Sequence, residues 1–327
     1  MKRRAFMTLL GSATAIWPFA ARAQRASQAR RIGFISGGSR DSLSDIVVGL
    51  PQGLQELGYV EGKDFIIEWR FAEGDFERIP GFAADLVQSK VDVFVLGTAA
   101  AIRPVQQATT TIPIVMGYST DPVGNGFVAS LAHPGGNITG LASSSDDTSP
   151  KQLELLIAAV PTLSHVGYLG NPANVNSPPA IARLEAAARA RGLVVVQVGA
   201  RSLPEIESAF TALSKERVGA IIVAPDALFM LHRKRITQLA LELRLPSIFV
   251  FREFVLVGGL MSYGENLKEF FRRAATFVDK IFRGAKPGDL PIEQPTKFNL
   301  AINRKTANAL AMTIPPQLFV FADEVIE

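Results

Sequence analysis

The sequence of 327 residues contains no cysteine and only three histidines. The lack of cysteine excludes disulfides, thiolate metal sites, thiol nucleophiles and a lipid anchor on an N-terminal cysteine. The histidines, His133, His165 and His232, do not have the spacing of metal ligands. We therefore predict no metal and no other cofactor.

The chain has no excess charge outside its first 23 residues. Lys2, Arg3, Arg4 and Arg22 account for the formal net charge of +4, and the other 304 residues carry 30 basic and 30 acidic groups. A basic surface for nucleic acid is therefore not predicted. Hydrophobic residues make up 48% of the chain, which is ample for large cores. The length corresponds to roughly two domains.

The first 23 residues have the organisation of an export signal. A basic N-terminus precedes an apolar stretch at Phe6–Ala20, and Ala21-Arg22-Ala23 is typical of a cleavage site. Residues 3–7 (RRAFM) also resemble a twin-arginine signal. No later segment has about 18 uninterrupted apolar residues. We expect cleavage near Ala23 and a soluble periplasmic protein that does not span the membrane.

From Arg31 onward, short apolar segments alternate with longer amphipathic ones. The predicted strands, rich in branched and aromatic residues, are 32–35, 65–69, 93–96 and 114–118. The predicted helices between them are 43–57, 76–89 and 99–108. Strands that alternate with helices indicate an α/β fold with a doubly wound parallel sheet.

The same order of segments recurs in the second half of the chain. Gly33 and Gly58 have counterparts in Gly167 and Gly192, each 134 residues further on. The repeat predicts two similar α/β lobes, with loops at the carboxyl ends of the strands lining a cleft between them. A single large doubly wound sheet is the alternative.

Two loops of the first half have the composition of a carboxylate site. Ser36, Gly37 and Gly38 follow the first strand and expose backbone N–H groups where a helix begins. An ordinary serine-rich helix cap would have the same composition. Thr98 opens a later helix, where its hydroxyl can cap the helix or bind a ligand oxygen.

Two aspartates are the candidates for binding an ammonium group. Asp121 follows Tyr118 and Ser119 after the fourth predicted strand, and Asn171 and Asp226 stand at matching strand ends of the second half. Either aspartate would supply a negative charge to the cleft. Asp121 precedes a proline, and that pair is also a common turn former.

Aromatic residues near the same strand ends are candidates for stacking on an apolar part of the ligand. They are Tyr118, Phe251 and Tyr263. Apolar walls combined with a few hydroxyls, an amide and two carboxylates suit a small zwitterionic or carboxylate ligand.

Catalytic motifs are incomplete in this chain. Residues 117–121 resemble a nucleophile elbow only to the third position, because Asp121 replaces the required glycine. Gly124-Asn125-Gly126 lacks the third glycine of a dinucleotide fingerprint. We therefore expect a binding protein and not an enzyme.

Six segments carry a family resemblance. They are 57–63 (LGYVEGK), 121–124 (DPVG), 131–140 (LAHPGGNITG), 258–264 (GGLMSYG), 290–298 (LPIEQPTKF) and 322–326 (ADEVI). Together they resemble ABC transporter substrate-binding proteins with the type I periplasmic binding fold, the group that includes tryptophan- and tyrosine-uptake binding proteins. The resemblance covers essentially residues 31–327.

The resemblance implies two lobes joined by a hinge, which close like a Venus flytrap over a small-molecule ligand. It implies a permease and an ATPase as partners, and we expect a monomer. It also places lobe boundaries on the chain. Lobe 1 is predicted to be 31–139 with about 264–292, and lobe 2 to be 140–262 with about 296–327.

The predicted function is therefore the periplasmic binding component of an ABC importer. Its ligand is expected to be an amino acid or an aromatic or carboxylate compound. Two alternatives stay open at this stage: an exported oxidoreductase that binds a cofactor, and a sensory domain that binds a ligand and docks on a membrane receptor.

Overall fold

A computed structural model describes residues 29–143, 148–174 and 177–327 of the chain. The predicted export signal, residues 1–23, lies outside these described residues. The described strands form two separate sheets, of five and seven strands. The prediction of two α/β lobes is thus confirmed, and the alternative of a single sheet is wrong.

The first sheet has the strand order β2-β1-β3-β4-β5, and all its pairs are parallel. The strands are β1 (Arg30–Ser36), β2 (Phe65–Phe71), β3 (Val93–Leu96), β4 (Ile114–Met116) and β5 (Ile138–Gly140). The helices between them are α1 (Arg40–Val47), α2 (Gly49–Glu56), α3 (Ile79–Gln88) and α4 (Ala99–Ala108), with a 3-10 turn at Phe76–Arg78. The strands β3 and β4 are buried throughout, because helices cover both faces of the sheet.

The second sheet has the order β12-β11-β10-β9-β8-β6-β7. Its strands are β6 (His165–Gly170), β7 (Val194–Gly199), β8 (Ala220–Val223), β9 (Ser247–Phe249), β10 (Met261–Gly264), β11 (Asn299–Asn303) and β12 (Glu324–Ile326). The remaining described helices are α5 (Ser149–Ala159), α6 (Ser177–Arg189), α7 (Leu203–Lys215), α8 (Ala227–Leu231), α9 (Arg233–Glu242), α10 (Arg252–Leu256), α11 (Leu267–Phe282), α12 (Arg304–Ala309) and α13 (Pro316–Phe321). No helix in the described ranges is long and apolar enough to cross a membrane.

The strand β11 departs from the predicted parallel pattern. It pairs antiparallel with β10, with Met261 opposite Ile302, whereas the other pairs of this sheet are parallel. After β10 the chain leaves this lobe, forms α11 on the first lobe, and comes back through residues 287–298. It re-enters the sheet at the end where β10 left it, and β11 therefore runs in the opposite direction.

The helix α11 packs against α2 of the first lobe through glycine residues. A Cβ atom on Gly49 would overlap the carbonyl oxygen of Lys268, and a Cβ atom on Gly53 would lie 2.8 Å from the Cβ of Ala275. The Tyr59 hydroxyl, just after α2, donates a 2.8 Å hydrogen bond to Asp279. The backbones of the two helices can approach this closely only because these positions have no side chain.

Segments that connect the two lobes lie side by side. Leu141 forms a parallel bridge with Glu293. The Ser143 hydroxyl donates to both carboxylate oxygens of Glu265, at 2.8 and 2.9 Å, and Glu265 is only 2% exposed. The chain therefore passes between the lobes in adjacent strands that are hydrogen-bonded to one another, which is a suitable arrangement for a hinge.

Adding a methyl group at Gly53 should destabilise the protein. Gly53→Ala is expected to lower the free energy of unfolding by roughly 1–3 kcal/mol, because the new Cβ separates α2 from α11. Gly81→Ala is the matched control, since Gly81 lies in α3 with no heavy atom within 4 Å of its added Cβ. The control should raise stability by up to about 1 kcal/mol through helix propensity. Differential scanning calorimetry of both variants would contradict this account if the two melting temperatures shifted in the same direction.

Candidate ligand-binding site

A cavity of about 620 Å³ lies between the two lobes. This volume is within the range of roughly 300–1,000 Å³ that small-molecule sites occupy. Strand ends of both sheets and the helices α1, α4, α8 and α11 form its walls. The aromatic residues that line it are Phe34, Phe76, Tyr118, Phe127, Phe251 and Phe271.

Phe271 of α11 forms part of the cavity wall in the first lobe. A Cβ atom on Gly97 would lie 2.8 Å from Cζ of this ring, and one on Gly117 would lie 2.6 Å from Cε1. The two glycines follow β3 and β4, so the ring covers the ends of both strands. Its centroid is 5.8 Å from that of Phe34, which joins the wall to the core of the first lobe.

Tyr118 and Phe251 bring the two lobes into contact. Tyr118 follows β4 of the first lobe and Phe251 follows β9 of the second, and their ring centroids are 5.7 Å apart in an edge-to-face arrangement. Tyr118 also packs edge-to-face on Phe270, at 5.6 Å. Such aromatic pairs contribute about 0.5–1.5 kcal/mol each beyond area burial. Both residues were predicted from the sequence, and both line the cavity.

Thr98 presents an available hydroxyl at the start of α4. It is the N-cap residue of that helix, yet its side chain makes no capping hydrogen bond. Its Oγ1 atom is buried without a hydrogen-bond partner among the described residues. A buried hydroxyl without a partner is costly, and a ligand oxygen that reached this atom would remove that cost. Ala99 and Ala100, in the first turn of the same helix, also line the cavity.

Three backbone N–H groups in the loop after β1 and the first turn of α1 form local hydrogen bonds. Gly38 donates its backbone N–H to the hydroxyl of Ser36 at 3.2 Å. The backbone N–H of Ser39 bonds to the Ser42 hydroxyl, and that of Ser42 to the Ser39 hydroxyl, both at 3.0 Å. This reciprocal capping box starts α1. Ser36 and Gly38 line the cavity, and the N–H groups of Gly38 and Ser39, where a carboxylate site is predicted, donate to the hydroxyls of Ser36 and Ser42.

Asp226 lines the cavity and is held by three donors. The Nδ2 groups of Asn171 and Asn174 donate to its two oxygens at 3.2 and 3.0 Å, and the backbone N–H of Leu228 donates at 2.9 Å. The backbone N–H of Ala173 donates to Oδ1 of Asn171 at 2.9 Å, which fixes the orientation of that amide. Asp226 therefore caps α8 and organises the loop after β6.

Three predicted site residues do not line the cavity. Asp121 is exposed with a φ of 41°, and its Oδ1 accepts the backbone N–H of Gly124 at 2.8 Å, so it stabilises a turn. Gly37 is buried against the ring of Phe76. Tyr263 of β10 stacks on Phe298, which lies in the segment between the lobes, with the ring centroids 5.6 Å apart. The other predicted residues, Ser36, Gly38, Thr98, Tyr118, Ser119, Asn171, Asp226 and Phe251, line the cavity.

Two arginines that sequence reasoning missed line the cavity. Arg103 lies one turn into α4, donates to Gln106 at 2.8 Å and to the carbonyl oxygen of Asn125, and lies 4.7 Å from the ring centroid of Phe127. Arg201 follows β7 and is exposed. Its position at the carboxyl end of a parallel strand was a signal available in the sequence. For Arg103, a position inside a helix gave no such signal.

A buried carboxyl group lies behind the wall of the second lobe. Glu253 of α10 is 5% exposed, and its Oε2 has no hydrogen-bond partner among the described residues. Burial raises the pKa of Glu253, and a backbone hydrogen bond and the charges of Arg252 and Arg233 oppose this only in part. Burial also lowers the pKa of Arg233, whose Nη1 donates to the carbonyl oxygen of Met230 in the cavity wall. The described residues contain no cluster of three or more acidic or histidine side chains that could hold a metal ion.

A cavity between two α/β lobes that are joined by adjacent chain crossings defines a ligand-binding protein of the two-lobed, periplasmic-binding type. The family model described as ABC transporter substrate binding protein matches residues 32–326. The chain therefore belongs to this family. It is a substrate-binding protein of the ABC transporter class and not an enzyme, as the sequence predicted.

Relatives and solved structures agree with this assignment. A tyrosine-binding protein of Clostridioides difficile is 28% identical over 272 residues, which cover 83% of this chain and 78% of that protein. The structure of an ABC domain in complex with L-Trp from Streptococcus pneumoniae is 28% identical, has a TM-score of 0.84, and covers 91% of this chain and 100% of that one. A conserved domain protein from Vibrio cholerae is 26% identical with a TM-score of 0.85 and the same coverage.

Replacing the buried carboxyl should change how stability depends on pH. The pKa of Glu253 is raised above the ordinary value of 4.5, so the stability of the wild-type protein falls as pH rises from there through the folded-state pKa. Glu253→Gln removes this loss and should melt roughly 2–4 °C higher than wild type at neutral pH, with the difference shrinking towards pH 4.

Glu216→Gln is the control for this pH series, because Glu216 is exposed at the end of α7. The difference in melting temperature between Glu216→Gln and wild type should stay constant from pH 4 to pH 8. A Glu253→Gln protein that melted below wild type, with a deficit that grew as pH rose, would mean that the ionised carboxylate is stabilising and would contradict this account.

Proposed function

We propose that this chain is the exported binding component of an ABC importer, which captures a small organic ligand between its lobes. The ligand class is an amino acid or an aromatic or carboxylate compound. The observation that carries the proposal is the cavity of about 620 Å³, which both lobes line with aromatic side chains around the available Thr98 hydroxyl. A relative named for tyrosine and a solved structure with L-Trp support the same class.

Ligand capture works by closure of the lobes. A ligand that touches both lobes stabilises the closed form by the contacts that exist only there, and so shifts the open–closed equilibrium. Thr98 and the first turn of α4 would hold a carboxylate in the first lobe, with the helix dipole favouring the negative charge. Tyr118 and Phe251 would enclose the apolar part, since they already meet across the cleft.

The proposal includes the location and the boundaries predicted from the sequence. The chain acts in the periplasm as a monomer after cleavage near Ala23, and delivers its ligand to a permease and an ATPase. Lobe 1 comprises 31–139 with about 264–292, and lobe 2 comprises 140–262 with about 296–327. The packing of α11 on α2 and the bridge between Leu141 and Glu293 support these boundaries.

Native mass spectrometry of the purified protein is the direct test of ligand capture. A fraction of the molecules should carry a small organic compound, and adding an aromatic amino acid or carboxylate from a panel should raise that fraction. In the source organism, deletion of the gene should abolish uptake of the same compound. A protein that carries nothing and binds no member of the panel would contradict the proposal.

The Thr98 hydroxyl should matter for binding and not for folding. Thr98→Val keeps the shape of the side chain and removes the hydroxyl, so affinity for the captured compound should fall roughly tenfold. The melting temperature without ligand should stay equal or rise, because a buried hydroxyl without a partner is removed. Thr98→Ser retains the hydroxyl and should keep most of the affinity. Isothermal titration calorimetry that gave equal affinities for wild type and Thr98→Val would exclude Thr98 from the site.

A further inference from the structure

The charges around the cavity are unequal in sign. The described residues that line it include two arginines, Arg103 and Arg201, and a single acidic residue, Asp226. Arg103 lies in the first lobe and Arg201 in the second, so the cavity receives a positive charge from each side. Among the described lining residues the balance is therefore one positive charge, before any ligand enters.

Asp226 has few hydrogen-bond acceptor sites left for a ligand. A carboxylate has about four lone-pair sites, and three of those on Asp226 accept N–H groups from Asn171, Asn174 and the backbone of Leu228. An ammonium group needs several acceptors when it leaves water, because its three N–H donors each lose a hydrogen bond. Asp226 is thus occupied as a structural cap and is a poor ammonium acceptor.

The hydrogen-bond donors of the cavity, in contrast, are still available. The Thr98 hydroxyl has no partner among the described residues, and the guanidinium group of Arg201 forms no ion pair among them, although the Glu205 carboxylate accepts the backbone N–H of Arg201 at 3.0 Å. Arg103 bonds to a side-chain amide and to a backbone carbonyl, both neutral, so its charge is not compensated by an acid. A bound carboxylate would provide the missing acceptor and the missing negative charge together.

We propose that the cavity selects an aromatic or otherwise apolar carboxylic acid without an α-ammonium group, in preference to the corresponding amino acid. This inference rests on the proposed function and specifies its ligand. The carboxylate binds at Thr98 and the start of α4, within the field of Arg201. The apolar body fills the space between Phe271 and the Tyr118–Phe251 pair. An ammonium group would add a third cation to a cavity that already has an excess of positive charge.

Pairs of compounds that differ only in the ammonium group test this inference. Indole-3-propionate is compared with L-tryptophan, and 3-(4-hydroxyphenyl)propionate with L-tyrosine, by isothermal titration calorimetry on the dialysed protein. At least one of the two acids without the ammonium group should bind ten or more times tighter than its amino acid. An amino acid that binds equally well or tighter overturns the inference and leaves the proposed function intact. If none of the four compounds binds at millimolar concentration, the inference is also overturned. The proposed function is then still tested separately, by native mass spectrometry and by the uptake measurement.

A variant that removes the charge of Arg201 provides a second, independent test. Arg201→Gln should weaken binding of indole-3-propionate by about threefold or more and reduce its dependence on salt concentration. Lys305→Gln removes the same charge from an exposed position of α12 that does not line the cavity, and should leave the affinity unchanged. Equal affinities in the two variants would show that the field of Arg201 does not act on the carboxylate.

Discussion

The packing of α11 on α2 is the constraint on which the cavity depends. This helix follows ten strands along the chain, yet it lies in the first lobe because Gly49 and Gly53 allow the two backbones to meet. The same helix carries Phe271, whose ring lies against Gly97 and Gly117 at the ends of two strands. One element therefore completes the core of the first lobe and forms part of the wall of the site. The chain has to cross between the lobes to place it there, and these crossings make the hinge.

Local patterns of the sequence predict most of this fold, but they do not predict its non-local features. Alternating apolar segments and the repeat of Gly33 at Gly167 predict two α/β lobes, because hydrophobic periodicity depends only on neighbouring residues. The direction of β11 could not be predicted in the same way. It depends on the end of the sheet at which the chain returns after α11, and that is a property of the complete topology. The family resemblance, and not the pattern itself, indicated that the chain returns between lobes.

In the candidate site, the location of residues at strand ends is predictable from the sequence, but the hydrogen bonds of their side chains are not. Ser36, Thr98 and Asp226 all line the cavity, because the carboxyl ends of parallel strands meet at one edge. Which of their polar atoms are available was not predictable. The carboxylate of Asp226 accepts hydrogen bonds from side-chain amides of a loop 52–55 residues away in sequence. The Thr98 side chain makes no capping hydrogen bond, although Thr98 is the N-cap residue of its helix. Asp121 does not line the cavity for a local reason, since its backbone lies in the left-handed region and its carboxylate accepts the N–H of Gly124.

The two lobes therefore contribute differently to capture of a ligand. The first lobe offers the available hydroxyl and the start of α4, so it can orient a polar group before the lobes close. The second lobe offers apolar surface around Met230 and Phe251 together with the charge of Arg201, whereas Asp226 is already engaged. Burying about 100 Å² of apolar ligand surface against that wall would contribute about 2.5 kcal/mol at 25 cal/mol per Å². That energy corresponds to a shift of roughly 50- to 100-fold in an open–closed equilibrium, so apolar contact with the second lobe would favour the closed form.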